Sequence, residues 1–151
     1  MPKALIALAV FVICAGAAVA SQEKDVMATV NQFVDNFNKG DSVKAVAACA
    51  AETSILDEFP PHEWHGAGAC ARWLGDYGAD AQKNGITDGF VTLGKPWHVD
   101  VAGKIAYVVV PADYSYKQHG KPVKESGSVL TVALLNGDAG WRITGWSWAK
   151  R

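Results

Sequence analysis

The 151 residues carry 14 basic and 15 acidic side chains, a formal charge of −1, with neither a basic stripe nor a run of Lys and Arg, which excludes a nucleic-acid partner held through phosphates. Half of the residues are hydrophobic, enough for a single domain to bury a core without several disulfides. No second long apolar stretch follows the N-terminal one, so no membrane partner is expected beyond it.

Residues 1–20 read as a secretory signal peptide. Lys3 supplies the positive start, Ala4 to Ala17 is almost wholly apolar, and Ala18-Val19-Ala20 fits the small-x-small rule for cleavage before Ser21. The apolar run is too short for a bilayer span and meets Gln22, Glu23, Lys24 and Asp25 at once. Ile13 before Cys14 argues against lipidation. An exported protein, periplasmic or secreted, is expected, with one domain over residues 21–151.

Val26, Val30, Phe33, Val34 and Phe37 fall on one stripe of a helix that Gly40 ends. Asp41 then caps a second, short helix whose apolar face is Val43, Val46, Ala47 and Ala50. Thr53 to Asp57 alternates as a short strand, and Pro60 and Pro61 forbid a continuous helix. Trp64-His65-Gly66 leads into a third helix with Ala67, Cys70, Trp73, Leu74 and Tyr77 on its apolar side, stopped by Asn84-Gly85. Cys49 and Cys70 each fall on the apolar side of an expected helix, where they are either a disulfide or two small buried thiols.

From Phe90 the period becomes two. Trp97, Val99 and Val101 alternate, Ala102-Gly103 turns, and Ile105 to Val110 opens a long strand that Pro111 interrupts and Tyr114 and Tyr116 resume. His119-Gly120-Lys121 makes a hairpin into Val123 to Leu135, Asn136-Gly137-Asp138 makes another, and Trp141 to Ala149 is the last strand. Three helices followed by an antiparallel meander specify an α+β fold with helices on one face of a bent sheet.

The segment from Phe33 to Asp41, FVDNFNKGD, with Asp57 nine residues before Gly66 and the closing Gly140-Trp141-Arg142-Ile143, resembles the nuclear transport factor 2-like superfamily, which includes ketosteroid isomerases, scytalone dehydratase and the SnoaL-like proteins. The resemblance covers nearly all of residues 21–151. It implies three N-terminal helices packed on a strongly curved antiparallel sheet, a cone-shaped half-barrel with a pocket between the layers. It also implies a homodimer packed through the convex side of the sheet, as is frequent in the family. In ketosteroid isomerases the aspartate at this spacing is the proton-shuttling base, a position that Asp57 occupies. The two oxyanion-hole positions fall on Phe33, and on Val129 counted from Gly120 or Thr131 counted from Asn136. One of three catalytic groups is thus kept, and steroid isomerisation is not expected. By the same count Tyr114 and Tyr116 face the pocket, either one a substitute hydroxyl donor.

Phe33, Phe37, Trp64, Trp73, Tyr77, Trp97, Val129 and Thr131 are the candidate pocket lining. Trp146 and Trp148 alternate away from Trp141 and Ile143 on the last strand, which marks them as a dimer face on the convex side. Glu58 alternates away from Asp57 and is expected on the surface. His62 and His65 lie on opposite faces of extended chain, so no shared metal is expected, although either is a candidate partner for Asp57. The run from Gly66 to Ala71 lacks the flanking strands of a dinucleotide site, and no cofactor is expected. The leading expectation is an exported protein that binds a small apolar molecule, with Asp57 as polar anchor. The alternatives are an acid/base enzyme of isomerase or dehydratase type with Asp57 as base and Tyr114 or Tyr116 as donor, and a dimerisation or assembly module. An open, dry cavity would separate the first two from the third.

Overall fold

The computed structural model describes residues 7–151, with side chains from Val19 onward. Of the expected signal peptide, positions 1–6 and the side chains of positions 7–18 therefore lie outside the described residues. The elements are α1 (Ala7–Asn38), α2 (Ser42–Val46), β1 (Cys49–Leu56), β2 (Glu63–Ala67), α3 (Ala69–Lys83), β3 (Ile86–Leu93), β4 (His98–Ala102), β5 (Ile105–Gln118), β6 (Lys121–Gly137) and β7 (Gly140–Ala149). Three helices pack on one curved, unclosed sheet of order β2-β1-β7-β6-β5-β3, with β4 also on β5. Among the described residues no helix is long and apolar enough to cross a membrane.

Among the described side chains of α1, burial begins at Val26 and continues through Val30, Phe33 and Val34, the stripe that the 3.6-residue period specifies. The helix closes at Gly40, whose φ of 69° suits a residue without Cβ. Asn38 then clamps α1 to β3, donating to the Val91 carbonyl and accepting from the Val91 amide, both at 2.8 Å. Asp41 caps α2 by accepting from the Lys44 amide at 3.1 Å. That cap sets the phase of the short helix, so Ala45 is buried while Val43 stays 82% exposed, against the face expected from its valines.

The sheet is mixed. β1 runs parallel to β7, and every other pairing is antiparallel. Cys49 opens β1 and does not lie on a helix. It is joined by a disulfide to Cys70 in the first turn of α3, tying helix to sheet. Closing a loop of 21 residues stabilises by about 3 kcal/mol in the chain-entropy account.

Two register shifts decide which way the long strands face. Ala112 pairs Ser128 but Tyr114 pairs Glu125, so β6 holds one extra residue beside Gly127. Ala133 pairs Gly145 but Leu134 pairs Ile143, so β7 holds an extra residue at Thr144. Each bulge reverses the alternation of its strand. On β6 the inward residues are therefore Ser128, Leu130, Val132 and Leu134, and Val129 and Thr131 alternate to the outer side. On β7 Trp141 and Ile143 face in, and so, past the bulge, do Trp146 and Trp148. The expectation that Trp146 and Trp148 form an outer dimer face is thus overturned: Trp146 is 6% exposed and belongs to the core.

Candidate functional site

Between α1, α3 and the concave side of the sheet lies a cavity of about 120 Å³. Phe33, Val34 and Phe37 reach it from α1, and Trp73, Tyr77 and Asp80 from α3. The chain leaving β1 contributes Asp57, Glu58 and Phe59. Tyr114 and Tyr116 enter from β5, Glu125 and Leu130 from β6, Trp146 and Trp148 from β7. The rings form one continuous cluster around Trp73, which meets Trp146 edge-on at 4.7 Å, Phe37 at 5.7 Å and Phe33 at 5.9 Å between centroids.

Asp57 is placed by the end of β1. Its Oδ2 accepts from the Trp73 indole Nε1 at 2.8 Å, and its Oδ1 accepts from the Glu58 amide at 2.7 Å. Burial pushes its pKa above the ordinary 3.8, and the Glu125 charge adds to the rise. The two hydrogen bonds and the neighbouring His62 oppose it without overcoming it. A partly buried carboxylate that resists ionisation and looks into an apolar hollow is equipped to accept a hydrogen bond or a proton.

The Tyr77 and Tyr114 hydroxyls are 2.6 Å apart across the cavity wall. Burial raises both phenols, and Tyr114 is raised further by its bond to Tyr77, so the pair stays protonated. Gly89 on β3 makes the arrangement possible, since a Cβ there would overlap both hydroxyls. Tyr116 stacks on Tyr114 at 4.9 Å and donates to Glu125 Oε1 at 3.1 Å. No tyrosine bonds Asp57 among the described residues.

The remaining candidates are distributed otherwise. Trp64 is buried behind the wall, 5.1 Å from the Phe59 ring, with its Nε1 donating to Asp76 Oδ2 at 2.8 Å. Trp97 precedes β4 and is 60% exposed, so it lines nothing. Val129 is absent from the cavity because the β6 bulge lies between it and Gly120, Thr131 alternates to the same outer side, and Leu130 lines the cavity instead. His62 Nδ1 lies 3.1 Å from the Asp57 backbone oxygen and does not bond the carboxylate. His65 sits beside Glu63, 3.3 Å from Nε2 to Oε2, on the exposed side of β2. Among the described residues no three His, Cys, Asp or Glu side chains gather as a metal site.

Three acidic residues, Glu58, Asp80 and Glu125, enter the site beyond those expected. Glu58 lines the cavity instead of pointing away, because β1 ends at Leu56 and strand alternation no longer governs it. Its Oε2 lies 3.3 Å from Lys150 Nζ, and burial followed by the Glu125 charge raises its pKa. Glu125 holds the same lysine at 2.7 Å. The signal for Glu125 was available, because the tight turn at His119-Gly120 pairs Gln118 with Lys121 and, counting back, Tyr114 with Glu125.

No protein-family model matches the chain, and no curated protein matches its sequence. Solved structures do match. An NTF2-like protein with a cystatin-like fold from Novosphingobium aromaticivorans has a TM-score of 0.72 at 14% identity, covering 91% of this chain and 87% of that one. A nuclear transport factor 2 superfamily protein from Salmonella enterica serovar Typhimurium has a TM-score of 0.73 at 12% identity, covering 87% and 92%. A ketosteroid isomerase-like protein from Erwinia carotovora has a TM-score of 0.65 at 13% identity, covering 83% and 92%. The fold of this chain is therefore the nuclear transport factor 2-like one, as the residues at the helix corner and the closing strand imply. At these identities the likeness speaks for architecture alone.

Proposed function

We propose that this chain, with its nuclear transport factor 2-like fold, is an exported protein that binds a small, largely apolar molecule in the cavity, with Asp57 as the polar anchor. The observation that carries the reading is an aromatic-walled hollow of about 120 Å³ with the Trp73-held Asp57 carboxylate in its lining. A cavity of roughly 150 Å³ accepts benzene, and this one is somewhat smaller but open on one side, so it suits a ligand no larger than one ring or a short chain. Export is supported by the leader-like residues 1–20 and by the Cys49–Cys70 disulfide, a bond that persists in oxidising compartments.

Native mass spectrometry of the wild type and of Asp57→Asn tests the reading. The wild type should retain a small molecule that the variant retains less; equal retention would remove Asp57 from recognition. A second reading, an acid/base enzyme, is favoured by the raised pKa of Asp57 and by the protonated Tyr77–Tyr114 pair in the same cavity. Because Asp57 bonds an indole and an amide rather than a tyrosine, binding is preferred.

The partner surface we propose is the outer side of the sheet, with other residues than the tryptophans. There Ile105, Tyr107 and Leu135 are exposed, and Ile105 pairs with Leu135 across β5 and β6. Such an apolar stripe suits a second copy of the chain. Sedimentation should give a dimer at micromolar concentration, and Tyr107→Glu should give a monomer. A wild type that is monomeric throughout that range would contradict the assignment.

A further inference from the structure

The charges around the cavity have one sign. Asp57, Glu58, Asp80 and Glu125 line it, and among the described residues no Lys, Arg or His does. Most of the remaining lining is aromatic. The cation that touches these carboxylates is Lys150, which reaches Glu125 Oε1 at 2.7 Å and Glu58 Oε2 at 3.3 Å from the end of β7. One ammonium offsets one carboxylate, which leaves the hollow acidic.

A second observation is independent of that count. The Glu125 side chain is only 13% exposed, and its Oε2 is buried without any hydrogen-bond partner, although Tyr116 and Lys150 both attend Oε1. Buried polar atoms are nearly always satisfied, and an unpaired acceptor on a charged group is costly. Within the protein only a proton shared with the neighbouring Glu58 carboxyl is at hand for this pair, which contributes to the raised Glu58 pKa, and a donor that arrives with the ligand would replace it.

We propose, on the premise of the binding function above, that the ligand is a small organic ammonium ion with its hydrophobic body among the rings and its cationic head toward Glu125 and Asp57. An ammonium brings donors and no acceptor, which matches an unsatisfied carboxylate oxygen. Aromatic faces attract the same charge through their quadrupole, more strongly when water is excluded. A carboxylate or phosphate ligand would add like charge to a site already acidic. The Glu125 charge raises the pKa of both Asp57 and Glu58, a mutual repulsion that a bound cation relieves.

Calorimetric titration with three probes of one shape tests this: benzylammonium, benzyl alcohol and benzoate at neutral pH and low salt. Benzylammonium should bind about tenfold tighter than benzyl alcohol, and benzoate should not bind. Glu125→Gln should weaken benzylammonium about threefold and benzyl alcohol by less, since the alcohol carries no charge for the carboxylate to hold. Lys150→Met, which removes the internal competitor, should tighten it. Equal affinity for ammonium and alcohol, or a Glu125→Gln variant that keeps the wild-type preference, overturns the inference and leaves the binding function standing. If none of the three probes binds, the binding function itself falls and this inference with it.

Discussion

Trp73→Ala is expected to lower stability by about 4 kcal/mol in urea denaturation. The side chain is 5% exposed and touches the rings of Phe33, Phe37, Phe59, Tyr77 and Trp146, so its removal merges a large void with a cavity that already exists. Neighbours that already border a hollow have little to collapse against, which places the loss toward the upper part of the range for aromatic truncations. The substitution also strips Asp57 of its indole donor. Trp73→Phe separates the two effects, since it keeps most of the packing and loses the hydrogen bond, for an expected cost of about 1–2 kcal/mol. Trp97→Ala is the control: at 60% exposure it should shift stability by less than about 0.5 kcal/mol. Equal losses for the Trp73 and Trp97 alanine variants would mean that the aromatic cluster is not the centre of this core.

Asp57→Asn is expected to do the opposite and raise stability at neutral pH, by about 1 kcal/mol. Burial raises the folded pKa of Asp57 above its ordinary value of 3.8, so ionising it is harder in the folded chain than in the unfolded one. Its favourable contribution is complete below the unfolded value and is lost as the pH rises through the raised folded value. Above that window the charged side chain works against folding, and a neutral amide that still accepts from Trp73 avoids that cost while giving up the bond from the Glu58 amide. The advantage of the variant should therefore fade as the pH is brought down through the raised pKa toward 3.8. Urea midpoints of both proteins across this range give the curve, and a variant less stable than wild type at neutral pH would contradict it. Together with weaker retention of the ligand, the gain would show a group kept for recognition at the expense of stability.

The parts of this molecule that local chemistry determines could be read directly from the residues. The α1 stripe, the Gly40-Asp41 corner and the turns at Gly103 and Gly120 each rest on a period, a cap or a positive φ, all local properties. Asp57 could be located because the end of a strand and the entry to a helix bracket it. What failed was the facing of residues on the long strands. Val129, counted from Gly120, is expected in the cavity and Trp146 and Trp148 outside it, and one extra residue in each strand reverses both expectations. A bulge is fixed by the partner strand, so alternation within one strand cannot reveal it. The signal that existed was glycine inside a strand: Gly127, at a φ of 81°, and Gly145, where a Cβ would come 3.0 Å from the Ser54 carbonyl oxygen of β1. β2 escaped notice for another reason, since Trp64 is its one buried residue and a single contact has no period.

Whether the rings around Trp73 and Trp146 enclose a space that a ligand can enter is read from the indole N–H resonances during titration with benzyl alcohol. The Trp73 and Trp146 signals should shift in a saturable way while the exposed Trp97 signal stays in place. Shifts that fail to saturate, or that are as large at Trp97 as at the two cavity indoles, would contradict such a space.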